Sequence, residues 1–357
     1  MKILSIETSC DETSAAVVQK NDTTYPTILG SALASSSDLH ALTGGIIPEQ
    51  AARAQLEYIF PIISKALLES EGKTFSHTPE NYKKGMDILS KSIDAIAVTQ
   101  GPGLIGSLLI GVESAKALAL VYDKPLIPVN HLLAHIYANW ITTSDEKETQ
   151  QIQFPFIGLI VSGGHTDLLL FKNHGDYTWI GGTRDDAAGE ALDKIGRLLN
   201  LSYPAGPQIE KLSQLAKKKD IKFSRPLKSL ETFDFSFSGL KTEAARFIRS
   251  QSTLTPELIS EICYAVQDAI VDVLVYKTVH AAEKYNCSYI VLGGGVSANQ
   301  ALRDYFQKKA SDFNIQVMYP EKQFTTDNAS MIGAYAAYNM HSKPLKSIQA
   351  KPNLYLV

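Results

Sequence analysis

The sequence predicts an α/β protein with two mixed sheets in two lobes, on three observations. Its 357 residues are more than one hydrophobic core usually serves. Apolar strand patterns alternate with helical ones along most of the chain, which is the signature of sheets with helices packed on their faces. A strand, a tight polar turn and a second strand open the chain, and the same design returns roughly 150 residues later at the head of another α/β segment. The architecture is duplicated although the residues are not.

Lys2 to Glu7 reads as an apolar strand, Thr8 to Thr13 as a polar turn and Ser14 to Gln19 as the returning strand. Glu7, Asp11 and Glu12 cluster here; three acids around one turn repel unless they face water or a cation. A helix begins at Pro48, where proline suits the first helical position. Gly72 to Ser92 is hydrophilic and reads as a surface insertion. Ile93 to Thr99 is a buried strand and Ser107 to Val121 a helix. Between them Gly101-Pro102-Gly103-Leu104-Ile105-Gly106 matches G-x-G-x-x-G. A dinucleotide site would need its acid at the end of the following strand, whereas Asp123 precedes that strand. The glycines therefore serve a tight backbone turn.

Leu126 to Val129 is a short strand, and Asn130-His131-Leu132-Leu133-Ala134-His135 opens a helix. Histidines at i and i+4 share one helix face and can reach one metal ion. Zinc peptidases with this spacing carry a glutamate after the first histidine as general base, and here that position is Leu132. The pair fits a metal site without peptidase chemistry, and two ordinary helical histidines would look the same. Thr142 to Gln153 is polar and reads as an exposed linker.

The second half opens with Phe156 to Val161, the turn Ser162-Gly163-Gly164-His165-Thr166 and the return Asp167 to Phe171. Small residues at such a tip can bring backbone amides to a phosphate. A helix spans Ala187 to Leu199, and a long one runs from Thr255-Pro256, cap and first position, to about Lys284. Tyr289 to Leu292 is a buried strand leading into Gly293-Gly294-Gly295 and a further helix. Three glycines exceed what the turn needs, which favours contact with a ligand. Asp327 precedes the last helix, Ala329 to Met340, and suits its N-cap. The basic run Lys217 to Arg225 reads as a solvated loop.

Apolar residues make up 45% and charged residues 20% of the chain, ordinary for a globular protein. The net charge of −3 gives no global basic footprint, so a nucleic-acid partner would need a local patch. Three cysteines, Cys10, Cys263 and Cys287, lack metal-motif spacing and point to a reducing compartment. No leader and no run of ~18 apolar residues is read from the sequence, so a cytoplasmic protein that spans no membrane is expected.

Taken together, several segments resemble the bacterial TsaD family, the threonylcarbamoyltransferases of tRNA modification, once described as glycoprotease-like. They are Ile6 to Thr13, Gly101 to Leu104, His131 to His135, Val161 to Thr166, Asp185 to Glu190, Asp234 to Thr242, Gly294 to Asn299 and Thr326 to Asn328. They follow family order over nearly the whole chain. The resemblance implies the duplicated actin-like ATPase (RNase H-like) fold with a nucleotide cleft between lobes. The implied lobes are 1–145, completed by 329–357, and 154–328 with a helical insertion. It implies metal ligands at His131, His135 and Asp327 for one divalent ion, Fe2+ placed ahead of Zn2+. It implies donor-binding positions at Ile160, Val161, Ser162, Gly163, Gly164, Asp193, Gly206 and Asn299. The family usually reads Tyr-Pro-Gly-Gly-Pro where this chain has Tyr203-Pro204-Ala205-Gly206-Pro207, which raises a question about the local backbone.

The activity so implied is transfer of a threonylcarbamoyl group from threonylcarbamoyl-AMP to N6 of the adenosine 3′ of the anticodon in tRNA. A paralogous TsaB-like subunit, a TsaE-like ATPase and a donor-making synthase are the implied partners. Asp11 is the candidate catalytic residue, as general base for the amine or as a group orienting the base. An actin-like kinase or acyl-phosphate enzyme would not need the two histidines with Asp327, and a non-catalytic paralogous scaffold would lack them.

Overall fold

The computed structural model describes residues 1–21, 25–35, 47–142, 152–229 and 231–356. The chain divides into two compact units, one formed by Met1–Gln151 with Pro320–Val357 and the other by Ile152–Tyr319.

In the first unit, β1 (Lys2–Glu7), β2 (Glu12–Gln19) and β3 (Thr27–Ser35) form an antiparallel meander. Then come α1 (Pro48–Glu69), α2 (Pro79–Ser92), β4 (Ala95–Gly101), α3 (Ile105–Tyr122), β5 (Leu126–Asn130) and α4 (His131–Tyr137). β4 lies parallel to β1, and β5 parallel to β4, giving the order β3-β2-β1-β4-β5. The apolar run of β1 follows from burial on both faces. Leu4 and Ile6 join the core of Ile59, Ile63 and Val112 beneath α1 and α3. Ser5 faces the other way and donates to Ala329 O at 2.6 Å.

Two features of this unit were not foreseen in the sequence. The hydrophilic stretch expected as a surface insertion holds a full helix, α2, started by Pro79 and capped by Thr78. It was unreadable because it buries only Gly85, Ile88 and Leu89. Second, α3 is by length and composition apolar enough to cross a membrane. It packs one face, Leu108, Gly111, Val112, Ala115 and Leu118, into the unit, and leaves Ile105, Leu109, Leu120 and Val121 exposed. Most of the expected linker lies outside the described residues.

The second unit repeats the plan. β6 (Phe156–Val161), β7 (Thr166–Asn173) and β8 (Asp176–Gly182) form the meander. Helices α5 (Ala188–Leu198), α6 (Gly206–Ser213), α7 (Ser238–Ser250) and α8 (Pro256–Lys284) precede β9 (Tyr289–Gly293), α9 (Gln300–Ser311) and β10 (Gln316–Met318). The order β10-β9-β6-β7-β8 has β9 parallel to β6. Reversed, it is the order of the first sheet. The duplicated α/β fold of the actin-like ATPases is thus present strand for strand. Thr255 caps α8, its hydroxyl accepting from Leu258 N at 3.3 Å, and Pro256 fills the first position. Ala205 sits at φ −84 and ψ −20. That is ordinary helical backbone, so alanine replaces the family glycine there without strain.

After β10 the chain returns to the first unit at Pro320, earlier than the expected 328/329 boundary. The last strand of the second sheet ends at Met318, and among the described residues no later strand joins that sheet. α10 (Ala329–Tyr338) then covers β1 and β2. The segment beyond it runs along β4: Lys351 N donates to Gln100 O at 2.7 Å, and Gln100 Nε2 to Gln349 O at 2.9 Å.

Candidate metal centre

The site in the first unit is built where β5 turns into α4. Asn130 is the cap: its Oδ1 accepts from Leu132 N at 2.9 Å and Leu133 N at 3.4 Å, while its Nδ2 donates to Leu354 O at 3.2 Å. This fixes the start of α4 and with it His131, the first helical residue. His135 follows one turn later, the two rings edge to face with centroids 4.7 Å apart. Asp327 was the candidate cap of α10, but Asn328 takes that role, its side chain accepting from Met331 N at 3.0 Å. The Asp327 carboxylate is left to face the histidines. Its Oδ1 lies 3.4 Å from His131 Nε2 and 3.2 Å from His135 Nε2.

One donor atom from each of the three residues lies within 4.8 Å of the others. Tetrahedral bonds of about 2.1 Å would set donors about 3.4 Å apart, so the spacing suits a first-row divalent ion. Two imidazoles and a carboxylate leave coordination positions open, and the set fits iron or zinc. His135 Nδ1 is buried without a hydrogen-bond partner among the described residues. Burial opposes charge on both rings. At His131 the charges of Asp327 and Glu7 overcome it and raise the affinity for a proton; at His135 burial wins and lowers it. Burial pushes the Asp327 carboxyl up, but His131 and His135 outweigh it and hold it well below the usual range.

Four further residues belong to this site, of which sequence reasoning noted only Glu7 and Glu12, as part of an acidic turn. Glu7, at the end of β1, is fully buried and lies 3.1 Å from His131 Nδ1. Ser9 Oγ is 3.3 Å from the same nitrogen. Glu12 is pushed up to about 10 by burial first, then by the charges of Asp327 and Asp11. A hydrogen bond to the Asp11 side chain adds to the same direction. Gln55 of α1 clamps the turn, its Nε2 donating to Cys10 O at 2.9 Å and Glu12 O at 3.0 Å, on either side of Asp11. The one signal for these roles was the acidic clustering of the first hairpin.

The expected donor-binding positions all lie in the second unit. Ile160 and Val161 are wholly buried at the end of β6, so their side chains belong to the core and only their backbone can serve a ligand. The turn that follows is closed by Ser162 N donating to His165 O at 2.9 Å and His165 N to Ser162 Oγ at 3.1 Å. A side chain added at Gly163 or Gly164 would meet nothing within 4 Å; packing does not require glycine there. Asp193 accepts from Ala205 N at 2.8 Å, which ties α5 to the start of α6 at Gly206. Asn299 caps α9 and donates to Gln267 Oε1 at 2.9 Å. Gln267 Nε2 in turn donates to Ser213 Oγ of α6 at 3.0 Å. Asp193, Gly206 and Asn299 are therefore linked through α6, while Gly294 stacks on Val161 O beside the turn. In the basic run Phe223 is in the core and Arg225 pairs with Asp268 and Asp272, so these two depart from the solvated-loop reading, whereas Lys217, Lys218, Lys219 and Lys222 are exposed.

Comparison with known proteins bears on both units. A family model described as TsaD: tRNA N6-adenosine threonylcarbamoyltransferase matches residues 27–334. A protein of that name from Endomicrobium trichonymphae is 41% identical over 356 residues, covering 99% of this chain and 97% of the relative. One from Staphylococcus epidermidis is 43% identical over 346 residues, covering 96% and 93%. Among solved structures, T. kodakarensis HypF aligns with a TM-score of 0.53 at 15% identity, over 75% of this chain and 44% of that one, a likeness of fold alone.

Proposed function

The chain belongs to the TsaD family of tRNA N6-adenosine threonylcarbamoyltransferases, and on that premise we propose how it carries the group from threonylcarbamoyl-AMP to N6 of the adenosine 3′ of the anticodon. It is a transferase that modifies tRNA. The observation that carries the mechanism is the convergence of His131, His135 and Asp327 on one point.

An exocyclic adenine amine is a weak nucleophile because its lone pair is delocalised into the ring, so the acyl group must arrive activated. A carbamoyl–phosphate anhydride meets that need. The amine nitrogen bonds to the carbamoyl carbon, the anhydride C–O bond breaks, AMP leaves, and Asp11 accepts the proton lost from N6. A divalent ion held by His131, His135 and Asp327 would polarise the carbonyl under attack. Within the second unit, the open glycine turn at Ser162, Gly163 and Gly164 offers backbone amides to a phosphate, and the Asp193–Gly206 and Asn299 corner is the proposed place for a nucleoside. Gln55 keeps Asp11 in place by gripping the carbonyls before and after it. A TsaB-like subunit docks on the exposed apolar side chains of α1 and α3, Leu56, Phe60, Leu109 and Leu120 among them, and a TsaE-like ATPase supports turnover.

The test is reconstitution of the chain with threonylcarbamoyl-AMP, an unmodified tRNA transcript and both partners, read by nucleoside mass spectrometry beside metal analysis. Replacing both His131 and His135 with alanine should remove stoichiometric iron or zinc and abolish transfer while the circular dichroism of the fold is kept. Full metal content in that double variant, or no modified nucleoside from the complete mixture, overturns the proposal.

A further inference from the structure

A buried carboxylate costs several kcal/mol unless its oxygens are paired, and the fully buried Glu7 is paired in one particular way. β1 and β4 run side by side in register, Ile6 opposite Val98, which brings Thr99 next to Glu7. The Thr99 hydroxyl donates to Glu7 Oε2 at 2.5 Å, and Ser9 N donates to Oε1 at 2.5 Å. The carboxylate is braced from both sides. Its Oε2 then lies 3.1 Å from His131 Nδ1, within hydrogen-bond reach. The other ring nitrogen, Nε2, is the one that faces Asp327. An imidazole that keeps its proton on Nδ1 can offer a lone pair only at Nε2. The second histidine has no such partner: His135 Nδ1 is without one among the described residues.

Resting on the metal reading above, we propose that Glu7 is a positioning residue, whose braced carboxylate holds the proton of His131 on Nδ1 and turns Nε2 to the ion. His131 is then the oriented ligand of the pair and His135 the adaptable one. Carboxylates in this outer role typically change metal affinity by about 10–100-fold.

The experiment titrates the full-length, metal-free chain with Co2+, following the visible spectrum, for wild type, Glu7→Gln, Glu7→Asp and Thr99→Val. In parallel, 15N-histidine spectra of the Zn2+-loaded protein report which nitrogen of His131 keeps its proton. Glu7→Gln should bind Co2+ about 10–100-fold more weakly, and so should Glu7→Asp, which keeps the charge but falls short by a methylene. The wild-type spectrum should show an Nδ1 proton on His131 protected from exchange, with that protection lost in both variants. Thermal melting of the metal-free proteins separates this from a general loss of fold. If Glu7→Gln does not fold, the isosteric Thr99→Val carries the test, with weaker Co2+ binding expected because the brace is gone. Binding within about threefold of wild type in the folded variants, or an Nε2 proton on His131, overturns the role of Glu7. A wild-type chain that takes up no Co2+ or Zn2+ overturns the metal reading itself.

Discussion

Asp11 stands beside Glu12, a carboxyl that burial first, then the charges of Asp327 and Asp11, push up to about 10. The hydrogen bond between the two side chains and the grip of Gln55 on the carbonyls either side of Asp11 hold Asp11 as a fixed acceptor. If Asp11 takes the amine proton, Asp11→Asn should lower single-turnover transfer by about 10²–10⁴ while donor and metal binding persist. Transfer within about threefold of wild type would remove it from the chemistry. At this scale the sequence was legible where one element carries the whole signal. His131 and His135 announce themselves by helical spacing. Glu7 does not, because its partner lies 124 residues away and no local pattern joins the end of a strand to a distant helix. Asp327 looked like a cap because Asp and Asn suit that role equally; only the three-dimensional arrangement shows Asn328 taking it.

Strands and helices whose apolar faces are well covered could be read from their periodicity: β1, β4, β6 and β9 as unbroken apolar runs, α8 from its Thr-Pro start. Those that escaped, β3, β8, β10, α2, α6 and α7, are half exposed or rich in small and polar residues. Their positions come from long-range packing rather than from local preference. The duplication also operates at this level. In each unit the loop after the first parallel neighbour returns a glycine onto the chain where it leaves the first strand. A Cβ at Gly103 would lie 2.4 Å from Ser9 O, and one at Gly294, at φ 92, would lie 2.5 Å from Val161 O. Gly294→Ala should therefore cost about 1–3 kcal/mol in denaturant unfolding. The neighbouring Gly295→Ala, which would meet nothing within 4 Å, should cost much less. Equal costs would show that the backbone moves freely there.

Over the whole molecule, the second unit depends on acids buried beside cations. Burial raises Asp186, but Lys194 and Lys241 more than offset it; burial raises Asp272, but Lys228 and Arg225 do the same. Both carboxyls end below their ordinary 3.8. A depressed native value means stability that is present above the unfolded value and lost as pH falls through the native one. The urea midpoint of the second unit should therefore decline as pH drops below about 4. Asp272→Asn should lower stability at pH 7 and flatten that decline; an unchanged slope would show that the pair contributes nothing in acid. The first unit, by contrast, is assembled from both ends of the chain, Met1–Gln151 and Pro320–Val357. On a ribosome, β1 and the two histidines are made long before Asp327 and α10. The second unit is complete in sequence while its predecessor still lacks a sheet cover and one of three candidate ligands. Domains tend to fold as they emerge, so the later-made unit can close first and the earlier one must wait. A nascent chain halted before Pro320 therefore holds both histidines and no site for the ion.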